Sequence, residues 1–271
     1  MKDTCTADGC REIREAIVSR VKEFTEGEKV YVLLSGGIDS AAALFAAMEA
    51  GAEYKVINFR FKGRDSIDTS SVKRLQEKVG FDADYIELEP FCEADVREAV
   101  KICRQVFGRI REVKCETIYA MLQVKRHIPE GGAILCGYGG DDLFGYSRND
   151  ALLAARCGQD SEKLLSHRRL PQEKDEFRAA FHGRKYYTPF VDPPIQELIT
   201  EYTTRACNER FPKSIIVRAF GDYFGKYKNA RKPIGLHKGS CEQLMFDDTA
   251  KEKGFKNALS LFLSYERIEG L

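Results

Sequence analysis

Two glycine-rich strings in this chain carry residue types suited to phosphate and metal chemistry. The first, Ser35-Gly36-Gly37-Ile38-Asp39-Ser40, joins two glycines to two hydroxyls and one carboxylate. Glycine lets backbone N–H groups approach an anion with no Cβ in the way. A helix beginning just beyond would aim its unbonded N–H groups and positive dipole end at the same point. Asp39 repels a phosphate directly and makes sense where Mg²⁺ lies between the two charges. The string lacks the Lys of G-x-x-x-x-G-K-[ST], so it is not an ordinary kinase or GTPase loop. The second string, Gly137-Tyr138-Gly139-Gly140-Asp141-Asp142-Leu143-Phe144-Gly145-Tyr146, again permits close backbone approach, and its paired carboxylates suit a cation. A strand-to-helix turn for the first string, and a helix cap for the second, are the structural alternatives.

The elements around these strings predict where they sit. Apolar spacing through Ile13, Ile17, Val18, Val21 and Phe24 predicts a helix capped by Thr6 or Asp8 and broken at Gly27. Residues 29–34 read as a buried strand and 41–50 as a small-residue helix. Further strands are expected near 54–61, 85–88 and 133–136, with helices near 68–79 and across 92–127. Strand alternating with helix predicts an α/β fold, a doubly wound parallel sheet with right-handed crossovers. Both strings then fall at carboxyl ends of strands, where such sheets hold ligands. From about Ser147 the pattern becomes helical without clear strands, punctuated by prolines. The expected organisation is an N-terminal helix (1–28), an α/β core (29–146) and a C-terminal helical lobe (147–271) that completes the site, all in one continuous domain.

Composition narrows the class. The 271 residues include 43 Lys+Arg against 42 Asp+Glu, so no global charge favours nucleic acid or an anionic membrane. No run approaches the ~20 apolar residues of a membrane span, and the N-terminus lacks a secretory h-region, so a cytoplasmic protein is expected. Nine cysteines, odd in number and without a C-x-x-C, read as reduced thiols, with Cys5 and Cys10 too isolated for a zinc site.

The first string resembles the S-G-G-x-D-S loop of the ATP pyrophosphatases, and the second is similar to the S-G-x-G-x-D-E-L-F-G-G-Y motif of the asparagine synthetase C-terminal domain. The resemblance covers roughly residues 29–245. It departs at Asp142, where the family has Glu, and by one glycine missing before Tyr146. It implies ATP and Mg²⁺ as cofactors: Ser35, Gly36, Gly37 and Ser40 on pyrophosphate, Asp39 and Asp141 on metal. Leu34 and Phe61 are the implied adenine walls, and Cys136 and Gly137 line the nucleotide from the second loop. Tyr138 stands where asparagine synthetases carry Glu and β-lactam and carbapenam synthetases carry Tyr paired with a downstream Glu, a base for the attacking amine. A phenol needs such a carboxylate to accept a proton near neutral pH. By spacing the partner is Glu173, with Glu176 as substitute.

Residues 201–240 hold nine Lys/Arg against three acids. A cation fixed where pyrophosphate departs stabilises the transition state. The row Lys213…Arg218…Arg231-Lys232 resembles the family's K…R…R-x-K stretch, which implies Lys232 as the catalytic cation, with Lys228 and Lys238 as alternatives. Phe220, Tyr223, Phe224 and Tyr227 read as core, and the segment 187–192 as a packing turn.

Asparagine synthetases place a glutaminase domain first. Here Lys2 follows Met1 and only 28 residues precede the first strand, so glutamine hydrolysis is not expected. The expected activity is an AMP- and pyrophosphate-forming ligase that adenylates a small-molecule carboxylate for attack by an amine or ammonia, with Tyr138 leaning toward the amine. A separate glutaminase chain and a homo-oligomer are the protein partners left open; membrane is excluded and nucleic acid disfavoured. The alternatives are an RNA-modifying enzyme that adenylates a base carbonyl, and a nucleotide-binding subunit without turnover.

Overall fold

The computed structural model describes residues 7–143, 175–205, 213–225 and 242–270, with only the backbone described at 141, 142, 175, 200–205, 214, 242 and 243. Its centre is a five-stranded parallel sheet in the order β3-β2-β1-β4-β5. The strands are β1 (Val30–Leu33), β2 (Tyr54–Phe61), β3 (Ala83–Leu88), β4 (Ala133–Cys136) and β5 (Lys185–Tyr187). β2 and β3 run parallel in register from Val56 opposite Ala83 to Phe61 opposite Leu88. The first four strands alternate with α1 (Ala7–Thr25), α2 (Ile38–Glu49), α3 (Ile67–Val79), α4 (Glu93–Phe107) and α5 (Glu112–Lys125). The doubly wound α/β class expected from strand–helix alternation is therefore the observed one. Winding reverses between β1 and β4, a topological switch point.

Beyond β4 come α6 (Gly140–Leu143), α7 (Asp175–Ala180), a 3-10 turn (Pro189–Val191) and α8 (Pro193–Arg205). They are followed by α9 (Ser214–Ala219), α10 (Gly221–Phe224), α11 (Glu242–Glu252) and α12 (Ala258–Ile268). The expectation of no strand after Ser147 is corrected by β5. Three residues, Lys185-Tyr186-Tyr187, give too short a run for period-2 alternation to register, and the sheet supplies the order that the local pattern lacks.

The chain passes repeatedly between two compact units. One draws on the described residues within Met1–Lys55, Ile134–Glu173 and Tyr187–Arg231, the other on those within Val56–Ala133, Lys174–Tyr186 and Lys232–Leu271. In the first, α2 is buried on almost every side, with Ala41, Ala42, Ala43, Leu44, Phe45, Ala46 and Ala47 at or below 1% exposure. Small residues let a helix approach its neighbours closely on all faces. Phe45 stacks on Tyr223 at 4.5 Å and meets Phe224 edge-on at 5.1 Å, so these aromatics are core, as expected. Arg14 of α1 binds Glu49 of α2 and Asp222 of α10, clamping the three helices.

In the second unit Phe59, Phe61, Tyr119, Phe246 and Phe262 form a chain of ring contacts. The start of α3 is capped by Ser66, whose Oγ accepts from Thr69 N, and the start of α12 by a reciprocal Asn257–Ser260 capping box. Among the described residues no helix is long and apolar enough to cross a membrane.

Candidate functional site

β1 delivers its chain into the first loop through Leu34, 3% exposed. Gly36 then adopts φ +75°, a left-handed conformation that a side chain resists. Gly37 is the N-cap of α2 and no side chain caps the helix start, so the first-turn N–H groups face the loop as an anion cradle requires. The two serines brace the turn from within. Ser40 Oγ accepts from Ser35 N at 3.3 Å, donates to the Gly37 carbonyl at 3.2 Å and lies 3.1 Å from Ser35 Oγ.

The second loop presses directly on the first. A Cβ on Gly137 would lie 2.3 Å from the backbone carbon of Asp39 and from Ser40 N. One on Gly140 would lie 2.3 Å from the Asp39 carboxyl carbon. Glycine at both positions is thus dictated by contact between loops rather than by backbone conformation. Gly139 between them takes φ +92°. Half-buried Tyr138 offers its carbonyl to Thr188 Oγ1, which donates at 2.5 Å. The segment 187–192, read from sequence as a packing turn only, therefore also anchors the second loop. It is itself held by Asp192, whose carboxylate accepts from Arg20 and from the Tyr187 hydroxyl, both at 2.7 Å. Burial and Asp192 push the Tyr187 phenol well above its usual range.

At the meeting point of the loops stands an ion pair that sequence reading missed. Lys213 Nζ donates to Asp39 Oδ2 at 2.5 Å, with the lysine side chain 3% and the aspartate side chain 14% exposed. A charge so far from water is held only by a close opposite charge. Lys213 is the residue before α9, and its carbonyl accepts from Val217 N, which sets its ammonium at the root of that helix. Apolar neighbours alone did not single it out: Lys213 lies between Phe211-Pro212 and Ile215-Ile216, but Arg218 is flanked as closely by Ile216-Val217 and Ala219-Phe220.

The donor set suits Mg²⁺. A carboxylate in the first turn of a helix, beside a glycine cradle for phosphate, matches the ion's habit of taking one or two carboxylates together with substrate phosphates. Asp39 is the described side chain that would hold it. The carboxyl of Asp141 lies outside the described residues, although its backbone follows Gly140 immediately in α6.

The structure thus brings Ser35, Gly36, Gly37, Asp39 and Ser40 together with Gly137 and the Tyr138 backbone. Cys136 ends β4, 7% exposed. Phe61 belongs to the other unit, where its fully buried ring stacks on Tyr119 at 6.3 Å. Glu173 and Lys232 lie outside the described residues, as do Lys228 and Lys238. Glu176 is buried and its carboxylate accepts from Lys114 at 2.8 Å.

Comparison with known proteins adds a family. The model described as asparagine synthase matches residues 12–231. Two 7-cyano-7-deazaguanine synthases from Leptospira interrogans, of serovars copenhageni and Lai, are each 33% identical over 69 residues; the match spans 26% of this chain and 28% of each relative. Among solved structures, an NMN synthetase from Francisella tularensis aligns over 83% of this chain and 98% of its own, with 14% identity and a TM-score of 0.36. A glutamine-dependent NAD⁺ synthetase from Acinetobacter baumannii, in complex with ADP, aligns over 85% of this chain and 47% of its own, with 16% identity and the same TM-score.

Proposed function

The chain belongs to the asparagine synthase family, and from that premise we propose that it is an ATP-dependent, AMP-forming amide synthetase. The observation that carries this reading is the contact of Gly137 and Gly140 with Asp39, which makes one site of two loops at the sheet's switch point.

In the proposed reaction a substrate carboxylate oxygen attacks the α-phosphorus of ATP. The bond from that phosphorus to the bridging oxygen breaks, and pyrophosphate leaves. An amine or ammonia then attacks the activated carbonyl carbon, AMP departs with the carboxylate oxygen, and the nitrogen gives up a proton. The first-turn N–H groups of α2, with the glycines at 36 and 37, would bind pyrophosphate oxygens. Bound at Asp39, with Asp141 as second carboxylate, Mg²⁺ would neutralise charge on the phosphates. Lys213 holds the Asp39 carboxylate in place and supplies a fixed cation beside the departing charge, the kind of preorganised electrostatics that favours a transition state over its ground state. Lys232 would be a second such cation. Tyr138, with Glu173 as partner, would take the proton from the attacking nitrogen.

Pyrophosphate release over a panel of carboxylates, with ammonia and with primary amines, tests the proposal. AMP and pyrophosphate should appear in equal amounts and only when an acid is present. ADP or orthophosphate as the direct product would overturn it. A second reading, in which the substrate is a modified purine-like base, draws support from the 69-residue likeness to the 7-cyano-7-deazaguanine synthases. Turnover confined to heterocyclic acids in the same panel would favour it.

A further inference from the structure

α5, the helix that precedes β4 and the second loop, carries a carboxyl group that the proposed chemistry does not use. Glu116 is completely buried, and neither of its carboxyl oxygens has a hydrogen-bond partner among the described residues. Among the described residues the charges that raise it are negative: Glu112, one turn earlier on α5, and Asp247 of α11. Both are half-exposed, so the three carboxyls grade from surface to interior. Cations on neighbouring positions are engaged elsewhere. Lys114 binds Glu176, the Arg111 guanidinium lies over the Phe107 ring, and Arg64 binds Asp248 beside Asp247.

An ionised carboxylate without donors is among the costliest groups to bury, and a neutral one still lacks its hydrogen bonds. Burial first, then Glu112 and Asp247, push the Glu116 carboxyl up to about 8. The location has meaning in this fold. Tyr119, one turn further on α5, donates its hydroxyl to the carbonyl of Glu89, the residue after β3, and Gln123 exchanges two hydrogen bonds with the same residue. Glu116 and Glu112 therefore lie past the carboxyl end of β3, the side on which α/β sheets take ligands.

We propose that Glu116, entered past Glu112 and Asp247, binds the primary ammonium group of an organic ligand. An ammonium brings three N–H donors and the opposite charge, answering both deficits at once. A metal ion answers them less well: among the described residues no three His, Cys, Asp or Glu side chains are drawn together as a metal-binding group. This inference stands independently of the reaction proposed above.

Calorimetric titration of the full chain with n-butylammonium chloride at pH 7, in two buffers of different ionisation enthalpy, tests it. Saturable binding should release a proton, because a carboxyl with a midpoint of about 8 is mostly protonated at pH 7 and must ionise to pair. Tetramethylammonium, without N–H donors, should bind at least tenfold more weakly. Glu116→Gln should weaken butylammonium at least tenfold and abolish proton release. The double variant Glu112→Gln/Asp247→Asn, which keeps the buried group, should weaken it about threefold and decides the matter if the first variant does not fold. Equal affinity in wild type and variants, no butylammonium binding, or preferential binding of Mg²⁺ or Ca²⁺ by Glu116 would overturn the proposal. Mg·ATP binding, measured alongside, reports separately on the first loop.

Discussion

The ammonium of Lys213 lies 2.5 Å from Oδ2 of Asp39, an ion pair closed between residues 174 positions apart. It joins the start of α2 to the root of α9 at the point where both glycine loops meet. Removing one partner leaves the other charged and buried, which costs about 3–5 kcal/mol, whereas removing both is close to neutral. Urea denaturation should therefore find Lys213→Met and Asp39→Asn each strongly destabilised and the double variant more stable than either. If the double variant simply sums the two losses, the pair is not a coupled unit. Pyrophosphate release should be lost in all three.

Gly137 and Gly140 should resist even the smallest enlargement. A methyl group at either would stand 2.3 Å from an Asp39 atom, so Gly137→Ala must displace the backbone of the first loop and Gly140→Ala must displace the Asp39 carboxyl. Overpacking of this kind costs about 1–3 kcal/mol, and ATP affinity should fall with it. Gly221, which starts α10 with nothing within 4 Å of a built Cβ, is the control. Gly221→Ala should be neutral or stabilising by a few tenths of a kcal/mol, since it restricts the unfolded chain. Equal melting temperatures for all three variants would contradict the contact between loops.

Thr188 reaches the second loop through one hydroxyl. Thr188→Val preserves its shape and removes the donor to the Tyr138 carbonyl, at a cost of about 1 kcal/mol. With the loop less firmly held, kcat should drop several-fold while the KM for ATP changes little. Thr188→Ser should restore both. A variant that alters only stability would reduce Thr188 to a packing role.

Glu116 makes stability depend on pH with a definite sign. Burial, followed by the charges of Glu112 and Asp247, raises its folded midpoint from 4.5 to about 8. Between those values the unfolded chain has lost the proton and the folded chain retains it. Stability contributed by this site is therefore complete below about pH 4.5 and declines as pH rises to about 8. The slope approaches 1.4 kcal/mol per pH unit at its steepest. Chemical denaturation from pH 5 to 8 should show that decline, and Glu116→Gln should flatten it. An identical pH profile in the variant would mean that Glu116 does not carry the effect.

Several features were legible without coordinates because they are local. Two glycine strings, each after an apolar run, announced strand–loop–helix turns. The alternation of periods placed β2 at 54–61 and β4 at 133–136, the bounds that the sheet shows. Hydrophobic burial acts residue by residue along a strand or helix, so its imprint survives in one dimension, and the family follows from the same strings. What chain order could not express was which distant residue answers Asp39. Among nine cations between 201 and 240 only packing selects Lys213, because the selecting force is a desolvated charge seeking its opposite across 174 positions. The same holds for β5, which exists because a sheet edge accepts three residues, and for the loop-to-loop contact that forbids a side chain at 137 and 140. Glu116 is the clearest case: on paper it is one acid in a charged helix, and only the folded surroundings strip it of water and leave it without a hydrogen-bond partner among the described residues.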